Sequence, residues 1–195
     1  ANPSVTSYTV GEEIEYVVTI TVPEGRTGEP VAQMVDVIGA GLSYVSGSLS
    51  VTLGGGITIG ETGLLDDSNA GFFNRSNPGD TSAETLTLDF DYIDFNNGSA
   101  GDGLATQAIE VRYRTTVDNI SMNQDGQIRG NEADLRWTDG SSITTTSDST
   151  PGNDTDVVLV EPDLSIEKSF VGDADQVDAG DTLTYELVIE HTGIS

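Results

Sequence analysis

No cysteine occurs in the 195 residues, which excludes a disulfide framework, a thiolate metal site and a cysteine nucleophile. Cations are nearly as scarce. Seven Lys plus Arg stand against 33 Asp plus Glu, for a formal net charge of −26, and Lys168 is the only lysine. Phosphate binding needs clustered cations, so nucleic acid is excluded as a partner, and an anionic membrane surface with it. The single histidine, His191, leaves no Ser-His-Asp triad, and neither a nucleophile elbow nor a phosphate loop is present. No run approaches the roughly 18 apolar residues of a membrane span, so membrane insertion is not expected. Aromatics make up only 6% of the chain. No charged-then-apolar leader opens it, and the sequence reads as a piece of something longer.

What the chain does have is glycine, 23 residues of it, with abundant Thr and Ser between short alternating runs. Ile14, Tyr16, Val18, Ile20 and Val22 share one face, opposite Glu13, Glu15, Thr19 and Thr21. Pro23-Glu24-Gly25 then ends the run. Leu86, Leu88, Phe90 and Tyr92 repeat the pattern against Thr85, Thr87, Asp89 and Asp91. Ile109, Val111, Tyr113 and Val117 do so against Glu110, Arg112 and Arg114. Shorter strands are expected at Val31 to Ile38, Leu42 to Val45, Leu49 to Leu53, Ala133 to Trp137, Ile143 to Thr146 and Val157 to Val160. No segment carries a period of 3.6. The expected fold is all-β, an immunoglobulin-like antiparallel β-sandwich.

The opening run recurs near the other end. GEEIEYVVTI from Gly11 matches GDTLTYELVI from Gly180 in its Gly, acidic, aliphatic and Tyr landmarks, at an offset of 169 residues. Tandem modules give such spacing. Residues 1–161 are therefore expected to form one sandwich module and residues 162–195 the opening strands of a second. The strand from Leu164 to Phe170 has no counterpart in the first copy, because by the offset Lys168 falls before Ala1. Two strands alone are not stable in water. Asp163 to Ile194 is expected to dock onto the first module or a neighbouring chain, supplying that strand.

Together the two openings, IGAGLSYVSGSLSV from Ile38, GQIRGNEADL from Gly126 and VEPDLSIEKS from Val160 resemble the conserved repeat domains of bacterial surface proteins. That family includes repeat stalks, isopeptide-forming fimbrial proteins and large adhesins of the repeats-in-toxin type. The resemblance implies a sandwich repeated along an exported chain at the bacterial cell surface. It implies neighbouring repeats as partners, a spacer or adhesive role and no enzyme activity. The insert from Gly54 to Asp80, with Phe72, Phe73 and acidic loops, departs from the pattern. It leaves open a calcium-dependent site for a host or surface ligand, a carbohydrate or a protein.

Calcium is the expected cofactor, and two segments suit it. Ser121 to Glu132 matches a calcium loop in position, with Ser121, Asn123, Asp125 and Glu132 as oxygen ligands, Gly126 at the tight corner and Ile128 at the apolar position. Ser121 stands where an Asp is usual, and strands flank the loop, so a polar hairpin turn with Gly126 at its corner is the favoured alternative for this segment. At the module junction lie Asp154, Asp156, Glu161 and Asp163, followed by Asp173, Asp175, Asp178 and Asp181. Calcium takes six to eight oxygens and relieves repulsion among such carboxylates, whereas a solvated acidic linker needs no ion.

Lys168 shares strand parity with Leu164, Ile166 and Phe170. An inward ammonium must find a partner. The resemblance makes an isopeptide bond conceivable, with Asn131 of the GNEAD element as the partner to inspect. A buried ion pair, or a rim lysine reaching an acid, meets the same need.

Overall fold

The structure, a computed structural model, describes residues 6–79, 81–96, 106–138, 143–147, 156–161, 164–172 and 177–191. Its strands are β1 (Ser7–Tyr8), β2 (Glu13–Pro23), β3 (Gly25–Arg26), β4 (Gly28–Ile38), β5 (Leu42–Tyr44), β6 (Ser50–Leu53), β7 (Ile57–Ile59), β8 (Phe73–Ser76) and β9 (Glu84–Asp89). They continue as β10 (Ile93–Phe95), β11 (Thr106–Val117), β12 (Ile128–Arg129), β13 (Asn131–Thr138), β14 (Ile143–Ser147), β15 (Val157–Leu159), β16 (Leu164–Phe170) and β17 (Tyr185–His191). The expected alternating runs fall on β2, β9 and β11, and the shorter ones on β4, β5, β6, β13, β14 and β15.

Two antiparallel sheets form the sandwich. The first runs β2-β11-β5, with β6 also paired to β11; the second runs β14-β13-β4-β9-β8. Alternation puts Ile14, Tyr16, Ile20 and Val22 of β2 and Ile109, Val111 and Tyr113 of β11 inward, where they meet Met34, Ile38, Leu86 and Leu88 from the second sheet. Contacts across the layers fix the arrangement. The rings of Tyr44 on β5 and Phe73 on β8 lie 5.3 Å apart, and Tyr113 on β11 hydrogen-bonds Asp36 on β4. Thr115 fills the gap in the β11 run and is itself buried.

Two three-stranded sheets accompany the sandwich. In one, β15 lies between β1 and β12; in the other, β10 lies between β3 and β7. The alternation predicted from Leu86 to Tyr92 stops early. Asp91 has φ 62, and this left-handed turn ends the strand after Asp89. Tyr92 then leaves the core face and lies under the Arg26 guanidinium, 3.8 Å from the ring centroid.

Among the described residues, β16 and β17 pair only with each other. Their register sets Ile166, Lys168 and Phe170 on the same face as Tyr185, Leu187 and Ile189, the parity expected for Lys168. Ile166 and Ile189 are 68% and 69% exposed.

Candidate functional site

The predicted calcium loop is held by its own side chains. Asn123 is fully buried. Its Nδ2 donates to Gly41 O at 2.7 Å and to Asp118 O at 2.8 Å, and its Oδ1 accepts from Arg129 Nε at 2.9 Å. Both ends of the carboxamide are thus engaged in bracing two loops. Asp125 and Glu132 are exposed, and Gly126, at φ 75, takes the tight corner. Among the described residues no three His, Cys, Asp or Glu side chains gather as a metal-binding group.

The fold does bring this loop to the junction. Gly126 N donates to Leu159 O at 2.9 Å, Leu159 N donates to Gln127 O at 2.8 Å, and Gln124 Nε2 reaches Glu161 Oε1 at 3.4 Å. Asp156 is exposed and Glu161 half-buried on the same short stretch. Asp154, Asp163, Asp173 and Asp175 lie outside the described residues.

Asp178 and Asp181 close a turn. Asp181 N donates to Asp178 O at 3.1 Å, and Asp178 N donates to Asp181 Oδ2 at 2.8 Å. At the matching positions of the first copy, Glu12 N donates to Thr9 O at 3.1 Å and Thr9 N donates to Glu12 Oε2 at 2.7 Å. Gly11 and Gly180, one residue before each acid, have φ 88 and 103, which a side chain would oppose. The same turn is therefore built twice, 169 residues apart. The strands beyond the two turns differ in covering: Tyr16 is 3% exposed and its match Tyr185 is 47%.

Lys168 is exposed, with its Nζ 4.1 Å from the centroid of the Tyr185 ring. Asn131 is buried on β13, where its Nδ2 donates to Tyr113 Oη at 2.6 Å. Tyr113 Oη in turn donates to Asp36 Oδ2 at 2.7 Å. Burial pushes the Asp36 carboxyl up to about 7, with Tyr113 and Asn131 pulling the other way. Burial also raises Tyr16 and Tyr113, with Asp36 adding to both. Asp36 Oδ1 and Asn131 Oδ1 are buried acceptors without a donor. A proton on Asp36 turns one of these acceptors into a donor.

The insert is tied into the core. Phe72 and Phe73 are buried, so they fill the sandwich and cannot meet a ligand from solvent. Asp67 Oδ2 accepts from Tyr44 Oη at 2.8 Å and from Gly47 N. Arg75 on β8 points inward to the fully buried Glu84 of β9, which also accepts from Tyr44 N at 3.2 Å. The arginines of β11 in the first sheet lie outside, where Arg114 pairs with Glu13 and Arg112 with Glu15 and Glu110. Such exposed pairs each contribute little.

The buried acids Asp36 and Glu84 were missed by the sequence reading, yet their parity carries the signal. Asp36 follows Ala32 and Met34 at steps of two, and Glu84 precedes Leu86 and Leu88 in the same way.

The chain matches no protein-family model and no curated protein sequence. Solved structures similar to it include the pilus backbone of Streptococcus pneumoniae, at 16% identity and TM-score 0.43, over 71% of this chain and 27% of that one. The C-terminal fragment of the major pilin of Streptococcus agalactiae aligns at 14% identity and TM-score 0.44, over 88% and 55%. The T6 backbone pilin of Streptococcus pyogenes does so at 14% and 0.45, over 98% and 42%. The chain thus spans about a quarter to a half of these proteins. At these scores the likeness assigns no function.

Proposed function

We propose that this chain is a non-catalytic β-sandwich module of a tandem array, serving as a structural spacer in a bacterial cell-surface adhesin. One observation carries this reading: the reciprocal turn at Thr9–Glu12 recurs at Asp178–Asp181 with the same positive-φ glycine, and each turn leads into a strand of the same pattern. Sequence resemblance to repeat domains of bacterial surface proteins supports the location. Neighbouring repeats are the proposed partners. Antibody raised against residues 6–161 tests the placement: intact cells of the source organism stain, whereas staining only after lysis contradicts surface display.

We also propose that calcium stiffens the junction. The net charge of −26 supports this, as does the contact that sets Glu161 beside the Gln124–Gln127 turn. A ligand-binding role for the insert rests on its polar rim alone, since its two phenylalanines are in the core.

A further inference from the structure

β2 and β17 carry matching sequences, yet they use opposite edges. Val117 N donates to Glu12 O at 3.0 Å, one step beyond the β2–β11 ladder. Bonded and non-bonded pairs alternate in an antiparallel ladder, so the N–H and C=O groups of Ile14, Tyr16, Val18 and Ile20 point at β11. Those of Glu13, Glu15, Val17, Thr19 and Thr21 point the other way, and among the described residues no strand pairs with them. In the hairpin, Val171 N donates to Thr184 O at 2.9 Å, one step beyond Phe170 and Tyr185. By the same alternation Glu186, Val188 and Glu190 face β16, while Tyr185, Leu187 and Ile189 face away. Their matches in the first copy are Tyr16, Val18 and Ile20. β16 therefore occupies the edge of β17 that corresponds to the open edge of β2.

We propose that the open edge of β2 is the docking site for the β16 strand of a second copy of this chain. Laid antiparallel in the register it keeps on β17, β16 sets Phe170 opposite Tyr16, Lys168 opposite Val18 and Ile166 opposite Ile20. These side chains extend the inner face of the first sheet. Ser169, Glu167 and Ser165 fall outside, opposite Val17, Thr19 and Thr21.

Charge favours the exchange. On β17, Glu167 stands opposite Val188 with Glu186 and Glu190 on its diagonals, and like charges in cross-strand positions destabilise. On β2 the diagonal neighbours are Val17 and Thr21. Lys168 moves from Tyr185 to the matching Tyr16, whose hydroxyl sits in the field of Asp36 and Asp156. The hairpin left behind is a two-stranded sheet, marginal on its own in water.

The same molecule cannot supply this strand. β15 leaves the sandwich beside Tyr8, just before the Gly11 turn. A docked β16 begins opposite Val22, about 30 Å along β2 at the usual rise per residue. The residues between Leu159 and Leu164 span at most about 18 Å. Nor can β16 bridge β17 and β2 together, because its second edge would turn Ile166 toward the outer, acidic face. Donor strand and acceptor edge are different surfaces, so the contact is head-to-tail, closing into a ring where the rotation between copies closes and forming an open chain where it does not.

The docking rests on the repeat correspondence of the tandem reading but not on surface display or spacer function. Sedimentation equilibrium of the full chain in about 0.15 M salt, which shortens charge repulsion to about 8 Å, is expected to give a mass that rises with concentration from one chain to two or more. Val17→Pro removes a free-edge N–H without touching the β11 ladder, and Ile166→Lys charges the inner face of the donor. Each variant alone is expected to be monomeric. Mixed, they are expected to form a one-to-one heterodimer and nothing larger, since one retains the donor and the other the acceptor. A wild type that stays monomeric overturns the docking, as does association of Ile166→Lys alone or a mixture that forms no heterodimer. If Val17→Pro melts early, Ile166→Lys, outside the sandwich, decides the matter by itself. A monomer throughout leaves the twice-built turn, and the tandem reading with it, standing.

Discussion

Asp36 on β4 and Tyr113 on β11 join the two sheets from inside, through a 2.7 Å hydrogen bond between fully buried side chains. Asn131 on β13 completes the chain by donating to Tyr113. In a protein with 33 acids, one acid placed where water does not reach has consequences that the exposed ones lack.

The first is a dependence of stability on pH. The folded carboxyl of Asp36 sits at about 7, above its unfolded value of about 3.9. A raised folded value means that the native state binds the proton more tightly. Its contribution is therefore complete below about pH 4 and is lost as pH rises through about 7, by on the order of 4 kcal/mol. Tyr113 and Tyr16, the titratable groups facing it, are both raised and stay protonated over this range. Denaturant titrations of wild type and Asp36→Asn at pH 5 and pH 8 check this. Wild type loses more stability between the two, and the difference shrinks in the variant, which keeps the repulsion of all the other acids.

Arg75 and Glu84 form the second buried relationship. Arg75→Ala leaves Glu84 without its cation and strips the guanidinium from the Tyr44 ring, 4.9 Å away. Removing one partner of a buried pair costs about 3–5 kcal/mol, and equilibrium denaturation should give that loss. Glu84→Gln should cost less, because Arg75 is partly exposed and can be solvated.

Asn123 distinguishes a brace from a metal ligand. Asn123→Asp sets a carboxylate against the carbonyls of Gly41 and Asp118, and Asn123→Ala leaves both without a donor. Each should destabilise by at least about 1–3 kcal/mol, the Asp variant more. A calcium-dependent gain for Asn123→Asp in thermal melting would instead assign the residue to the ion.

The strand pattern was legible because each buried face repeats at steps of two, from Ile14 to Val22 and from Ile109 to Tyr113. The core role of Phe72 and Phe73 was not. Adjacent residues in a regular strand point to opposite faces, and only Phe73 belongs to β8, while Phe72 enters the core from the preceding turn. The bracing by Asn123 was not legible for a related reason. Its spacing suits a calcium loop, and only the fold places two carbonyls within reach of its amide. The parity of Lys168 was read from sequence and holds in the register of β16 and β17, whereas its stacking on Tyr185 depends on the cross-strand neighbour.

A calcium-bound junction makes its own prediction. At calcium a hundredfold above its dissociation constant the native state gains about 2.7 kcal/mol, a rise in melting temperature of roughly 5–10 °C for a chain of this size. Melting in chelator and in millimolar calcium measures this, and coincident curves contradict calcium at the junction.

The division at the junction is tested most directly by a chain that ends at Glu161, unfolded beside the full chain under conditions where both are monomeric. A self-sufficient module followed by the opening strands of a second predicts one cooperative transition at an unchanged midpoint. A midpoint lower by more than about 4 °C, equivalent to at least about 1 kcal/mol, would show that residues 162–195 belong to the first module and contradict the tandem account.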